Sequence, residues 1–154
     1  MPYPIRYSFC QHFAVSAKEA YMWCTDFQPQ DHALMGEDNA KREIIKLTNS
    51  TILLKERFHT QNVDIEKQKL VQLYPNRLSW VSTHLVGFNK YSQFIYEITA
   101  EGDGASRLDF TALHIEHQNN LSDKDIKSLT DKLRKSDSNV WKRLAKAMEN
   151  ELYK

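Results

Sequence analysis

Glycine and cysteine are both scarce in this 154-residue chain, which contains four glycines and two cysteines. Four scattered glycines cannot form a GxGxxG dinucleotide-binding turn or a phosphate-binding P-loop, since both motifs need closely spaced glycines before a helix. Cys10 and Cys24 are too few for a disulfide framework and do not have the CxxC spacing of zinc and redox sites. The sequence therefore predicts free thiols, no metal site and no cofactor.

The sequence also lacks an excess of charge of one sign and has no long apolar run. The 21 basic and 20 acidic residues give a net charge of +1 and are scattered along the chain, so no basic stripe marks a nucleic-acid surface. The longest apolar run, residues 20–24, is far shorter than the ~20 residues that cross a bilayer. Residues 1–13 have no apolar segment typical of a signal peptide. We expect a soluble, cytoplasmic protein with no nucleic-acid partner and no stable membrane insertion.

The chain does contain enough apolar material for a core, because 41% of its residues are hydrophobic and 11% are aromatic. Its length is typical of one domain, since domains usually contain roughly 100 to 200 residues. With no linker, repeat or low-complexity tract in the sequence, residues 1–154 are predicted to form a single domain. The pattern is compatible with a monomer or a homodimer.

The N-terminal part of the chain predicts a strand followed by two short helices. Apolar residues alternate with polar ones over 5–13, which is the period of a half-buried strand. Ser16 and Glu19 have the spacing of a capping box, and the helix that they begin extends to about Thr25. A second short helix is predicted over 30–35, between a proline and a glycine.

The middle of the chain has the pattern of an antiparallel sheet. Apolar residues recur at every second position, and turn-forming residues recur at intervals of about 10 to 15 residues. This alternation puts Trp80, Phe94 and Phe110 on one face, which must be covered. Six strands are predicted, over 43–48, 51–60, 63–74, 77–86, 90–101 and 106–117.

A long amphipathic helix is predicted at the C-terminal end of the sequence. Ser122 is a suitable N-cap, and apolar residues follow it at spacings of three, four and seven as far as Leu152. This stripe is the expected cover for the apolar face of the sheet. Residues 136–139 are poor helix-interior residues, so a kink or a break is plausible there.

This order of elements resembles the helix-grip fold of the START-like or SRPBCC superfamily. The stretch FCQHFAVSAKEAYMWCTDF, Phe9–Phe27, resembles the superfamily's opening strand and aromatic first helix, and Val140–Leu152 resembles its closing helix. The resemblance implies an α+β fold in which a strongly bent, seven-stranded antiparallel sheet wraps around the C-terminal helix. It also implies an apolar cavity between them that binds a lipid, a sterol, a polyketide or another hydrophobic small molecule.

The leading functional hypothesis is non-enzymatic binding or transport of such a hydrophobic molecule, because the sequence contains no recognisable nucleophile motif. One alternative is a cofactor-independent cyclase, aromatase or dehydratase acting on a polyketide-like substrate, in which His84, His114 or Glu116 moves protons. Another is a protein-interaction module with a filled core. The residues predicted to contact the ligand are Glu56, Phe58, Trp80, His84, Phe94, Tyr96, Phe110, His114, Leu133, Val140 and Leu144.

Strand register decides which polar residues share the apolar face. If the turns keep even-numbered residues on one face, Phe94 lies opposite both His84 and Ala112. Lys67 and Lys69 share a strand face with apolar residues, which either places cations near an acidic group of the ligand or marks a solvated edge or a bulge. We favour the solvated edge or bulge.

Overall fold

The computed structural model of the chain describes residues 2–28, 31, 40–60 and 62–153. Within these residues, one strand and a short helix precede six further strands and a long helix, which confirms the predicted α+β architecture. The second short helix, predicted over 30–35, lies outside the described residues except at Asp31. The elements are β1 (Tyr3–Phe13), α1 (Ala17–Cys24), β2 (Ala40–Lys46), β3 (Thr51–Thr60), β4 (Val63–Tyr74), β5 (Ser79–Val86), β6 (Gln93–Ala100), β7 (Ser106–Glu116) and α2 (Asp123–Leu152).

The strands form one seven-stranded antiparallel sheet in the order β1-β7-β6-β5-β4-β3-β2. The first strand therefore pairs with the last, from Tyr3 opposite Glu116 to Phe13 opposite Ser106. All other pairings join strands that are adjacent in the chain. Because β1 and β2 are the two edges, the sheet stays open and presents one face to the long helix.

Helix α2 covers that face along its whole length. It begins with a complete capping box, in which Ser122 accepts a hydrogen bond from the Asp125 amide and the Asp125 carboxylate accepts one from the Ser122 amide. The apolar stripe of α2 then packs against two groups of sheet residues. Leu129 and Leu133 belong to the group around Ile5, Phe94 and Phe110, whereas Ala145 and Met148 belong to the group around Phe13, Leu108 and α1.

The long helix continues through residues 136–139 without the break that their composition made plausible. Aspartate disfavours a helix interior when its side chain competes for nearby backbone groups. Here the Asp137 carboxylate is bonded instead by the Tyr7 hydroxyl of β1, so it does not compete. Among the described residues, neither helix is both long enough and apolar enough to cross a bilayer.

The connection between β5 and β6 is longer than the sequence pattern indicated. Strand β6 begins at Gln93, and the preceding residues turn through Gly87, which has φ +126°. Glycine suits this left-handed region, and a Cβ atom at Gly87 would also lie 3.1 Å from Cγ of Lys67. Across the turn, the His84 amide donates a hydrogen bond to the Ser92 carbonyl.

This longer turn shifts the register between β5 and β6 by two residues. Ser82 lies opposite Phe94, so the expected pairing of His84 with Phe94 is wrong. A shift of two keeps every side chain on its predicted face, because the period of a strand is two. Phe94 lies opposite Ala112 as predicted.

Candidate functional site

A cavity of about 480 Å³ lies between the sheet and α2. Ligand pockets in proteins usually have volumes of roughly 300 to 1,000 Å³, so the space suits a small molecule. Its existence also means that the interior is not filled by side chains alone. The residues predicted from the sequence to contact the ligand all line this cavity: Glu56, Phe58, Trp80, His84, Phe94, Tyr96, Phe110, His114, Leu133, Val140 and Leu144.

Aromatic rings from neighbouring strands form the main apolar wall. Trp80 of β5 stacks on Tyr96 of β6 with ring centroids 4.6 Å apart, and Tyr96 meets Phe110 of β7 edge to face at 5.2 Å. Directly opposed residues on antiparallel strands lie close together, which explains these contacts. From α2, the Trp141 ring lies 5.8 Å from that of Tyr96, so the helix completes the wall.

A buried carboxylate marks the β2–β4 side of the cavity. Glu56 is 0% exposed, and its two oxygens lie 2.6 Å from Lys69 Nζ and 3.4 Å from Arg42 Nη2. Arg42 also pairs with Asp31 at 3.1 Å. Burying a carboxylate costs several kcal/mol unless it is paired, and these contacts offset that cost. The cluster therefore keeps polar groups at one end of an otherwise apolar space.

The position of the β4 lysines corrects one sequence-based interpretation. Lys67 and Lys69 both line the cavity, and the Lys69 side chain is 21% exposed. The interpretation of these lysines as part of a solvated edge is therefore wrong. Between β4 and β5 there is a register irregularity at Gln68 and Lys69. This irregularity leaves both lysines facing inwards.

Arg42 was not identified from the sequence because the predicted strand began one residue after it, although it is in phase with Ile44.

A second polar pair, formed by Tyr7 and Asp137, lies where β1 meets α2. The Tyr7 hydroxyl donates a hydrogen bond to the Asp137 carboxylate. Burial raises the pKa of Asp137, although the bond from Tyr7 offsets part of the rise. Burial, with the neighbouring carboxylate, also raises the pKa of Tyr7. The sequence contained a signal for this pair, since Asp137 is four residues from both Leu133 and Trp141 and therefore shares their helix face.

His84 is buried in the cavity wall as an uncharged imidazole. It is 5% exposed, and its Nδ1 lies 3.1 Å from Oδ1 of Asn89. Burial, reinforced by the positive charges of Lys69 and Lys67, lowers the pKa of His84 to about 3. A group with this pKa is not an imidazolium near neutral pH, so His84 cannot serve there as a general acid.

His114 and Glu116 lie together at the end of β7, as predicted, but only His114 lines the cavity. His114 Nε2 lies 3.0 Å from a carboxylate oxygen of Glu116. Burial pushes the pKa of Glu116 upwards, but hydrogen bonds from His114 and the Gln118 amide outweigh it and the pKa is lowered. Glu116 therefore contacts His114 from outside the cavity lining.

The lowered pKa of His84 predicts a loss of stability in acid. An unfolded histidine takes up a proton below about pH 6.5, whereas the folded imidazole resists protonation until about pH 3. Stability present above pH 6.5 is therefore lost as the pH falls, by about 2 kcal/mol between pH 6.5 and 5. Urea denaturation at pH 7 and pH 5 should show a smaller drop for His84→Gln than for the wild type. Equal drops in the free energy of unfolding of the two proteins would contradict the assignment of His84 as a buried, uncharged imidazole.

Comparisons with known proteins identify solved structures with the same fold but no relative by sequence. No protein-family model and no curated protein matches the chain. The Zhui aromatase/cyclase from Streptomyces sp. R1128 superposes with a TM-score of 0.77 at 10% identity, over 97% of this chain and 96% of that one. Norcoclaurine synthase from Thalictrum flavum gives 0.71 at 12% identity, over 99% and 88%. A START superfamily protein from Mycobacterium smegmatis gives 0.67 at 16% identity, over 95% of each chain.

These similarities cover almost the whole chain, and they agree with the order and pairing of its elements. The protein has the helix-grip fold of START-like, or SRPBCC, proteins, as the sequence resemblance implied. At identities of this size the likeness concerns the fold alone.

Proposed function

We propose that the protein binds or transports a hydrophobic small molecule in the cavity between the sheet and α2, and that residues 1–154 act as one ligand-binding domain. The observation that carries this proposal is the cavity itself, about 480 Å³ in volume, with a continuous aromatic wall of Trp80, Tyr96 and Phe110. Transfer of apolar surface from water to such a wall is favourable by about 25 cal/mol per Å². A lipid, a sterol or a polyketide-like molecule has the required apolar body.

The proposal predicts saturable binding of a neutral apolar dye such as Nile red, measured by fluorescence titration. Phe94→Arg should weaken binding at least tenfold, because Phe94 is 7% exposed and lines the cavity. The matched control is Ile95→Arg, one residue along the same strand, where the side chain is 39% exposed and faces outwards. Leu133→Arg introduces the same charge from α2 if the strand variant does not fold.

Two results would contradict the proposal. One is the absence of saturable dye binding to the folded wild-type protein. The other is equal binding by Phe94→Arg and Ile95→Arg, with both variants melting cooperatively, because a charge placed in the cavity must disturb a ligand that occupies it.

A second candidate function is catalysis of the cyclase or dehydratase type. The observation that favours it is the Tyr7–Asp137 pair, in which a phenol and a carboxyl of raised pKa face the same cavity as the aromatic wall. Such a pair can give or take a proton at a bound carbonyl compound. Two of the structural neighbours are named as an aromatase/cyclase and a synthase. A ligand recovered from the protein with a changed mass would favour this second candidate.

A further inference from the structure

Strand β5 presents a buried hydroxyl to the cavity. Along this strand Trp80, Ser82 and His84 face inwards, and the residues between them are less buried. Ser82 is 5% exposed, and its Oγ has no hydrogen-bond partner among the residues that the structure describes. A buried hydroxyl without a partner costs free energy, so Ser82 is a group that a ligand can satisfy.

The neighbouring imidazole, His84, uses one of its two ring nitrogens in a hydrogen bond and leaves the other able to accept one. His84 Nδ1 is occupied by Oδ1 of Asn89, which accepts, so Nδ1 carries the ring hydrogen. In the uncharged ring, Nε2 then has a lone pair that accepts a hydrogen bond. Within the described part of the chain Nε2 has no hydrogen-bond partner. Ser82 and His84 are two residues apart on the same face of β5, so both side chains project into the same part of the cavity.

Beside these two groups lie an aromatic ring and a lysine that is held in an ion pair. Phe94 lies directly opposite Ser82, and its ring is 4.9 Å from that of His84. Lys69 lies opposite His84, but its ammonium group is 2.6 Å from the Glu56 carboxylate. The pair therefore offers one donor and one acceptor beside an aromatic ring.

We propose that Ser82 and His84 form a polar subsite for an uncharged hydroxyl group carried by an aromatic or polycyclic ligand. The ligand hydroxyl donates a hydrogen bond to Nε2 of His84 and accepts one from Oγ of Ser82, while its ring packs on Phe94. This inference rests on the proposed function, since it names the chemistry of the molecule that the cavity takes.

The same arrangement discriminates against charged groups. A carboxylate has only acceptors, so it presents a negative oxygen to the lone pair of Nε2. An ammonium group is repelled by Lys69 and Lys67, the same cations that help to keep His84 uncharged. A hydroxyl satisfies both protein groups without introducing a charge.

The experiment compares three ligands with the same rings, naphthalene, 2-naphthol and 2-naphthoate, by calorimetric titration at pH 7. We expect 2-naphthol to bind roughly tenfold more tightly than naphthalene, and 2-naphthoate to bind more weakly than 2-naphthol. Tighter binding of 2-naphthoate would overturn the proposal in favour of an acidic headgroup at the lysines. Equal affinities for naphthalene and 2-naphthol would overturn it as well.

The variant Ser82→Ala identifies the group responsible. It should weaken binding of 2-naphthol roughly fivefold and leave binding of naphthalene unchanged. Because the hydroxyl makes no hydrogen bond within the described residues, its removal should not impair folding. The matched control is Ser8→Ala, at an exposed position of β1, which should leave both affinities unchanged.

The outcomes separate this inference from the proposed function. If naphthalene binds but 2-naphthol gains nothing, or if Ser82→Ala weakens both ligands equally, the hydroxyl subsite is wrong and the apolar cavity stands. If none of the three ligands binds to the folded protein, the proposed function fails together with the subsite.

Discussion

A chain that lacks residues 139–154 should not fold. The deletion removes the second half of α2, including Met148, which is 0% exposed, and Trp141, whose ring centroid lies 6.4 Å from those of Phe13 and Trp80. Burying one large apolar side chain contributes about 1.5 to 3 kcal/mol. Removal of several such side chains therefore rivals the whole stability of a domain, which is about 5 to 15 kcal/mol.

Circular dichroism and size-exclusion chromatography measure this outcome directly, and the truncated chain should aggregate or show no cooperative melting. The control is a chain that ends at residue 152, because Tyr153 is 60% exposed and contributes little to the core. A soluble truncated protein with a cooperative melt would show that the sheet is stable without its cover.

Glu56→Gln should lower the free energy of unfolding by about 3 kcal/mol, because it leaves the charges of Arg42 and Lys69 without their shared carboxylate. This loss is at the lower end of the usual cost of breaking a buried ion pair, because Arg42 keeps its contact with Asp31 and the Lys69 side chain is 21% exposed. Urea denaturation at pH 7 measures the change.

The adjacent pair on the same two strands gives the control. Glu43 is exposed and lies opposite Lys55, directly beside the pairing of Arg42 with Glu56, so Glu43→Gln should cost less than about 1 kcal/mol. Replacing both members of the buried pair, Glu56→Leu with Lys69→Met, should recover most of the stability lost in Glu56→Gln. A Glu56→Gln protein as stable as the wild type would show that the carboxylate is not a buried partner.

The sequence was sufficient to predict the architecture because its strongest signals are periodic. Alternation in β5, β6 and β7 placed Trp80, Phe94 and Phe110 on one face. This assignment stays correct when a turn length is mispredicted by an even number of residues, because side chains alternate with a period of two. The stripe of α2 likewise depends on spacing alone. Periodicity does not determine which residues of adjacent strands lie opposite each other, so the pairing of His84 was wrong.

The polar part of the site was harder to predict, for a physical reason. A charged residue in phase with an apolar face indicates either a buried group with partners or a change of phase, and only the position of the partner distinguishes them. Glu56 was placed correctly because its strand is long and regular. Arg42 lies close to the start of its strand, and the partner of Asp137 is Tyr7, on the first strand of the chain.

The pairing of β1 with β7 has a consequence for how the chain folds. Five of the six strand pairings join neighbours in the chain and can form as local hairpins, whereas the pairing of Tyr3 with Glu116 joins residues that are far apart in the sequence. Contacts between residues distant in sequence form late, because closing a long loop costs entropy before any contact compensates for it. During synthesis β1 is made first, yet its partner strand emerges only after the other five. The apolar side chains of β1 therefore remain unpaired until β7 has been synthesised, and during this interval the chain is most exposed to aggregation.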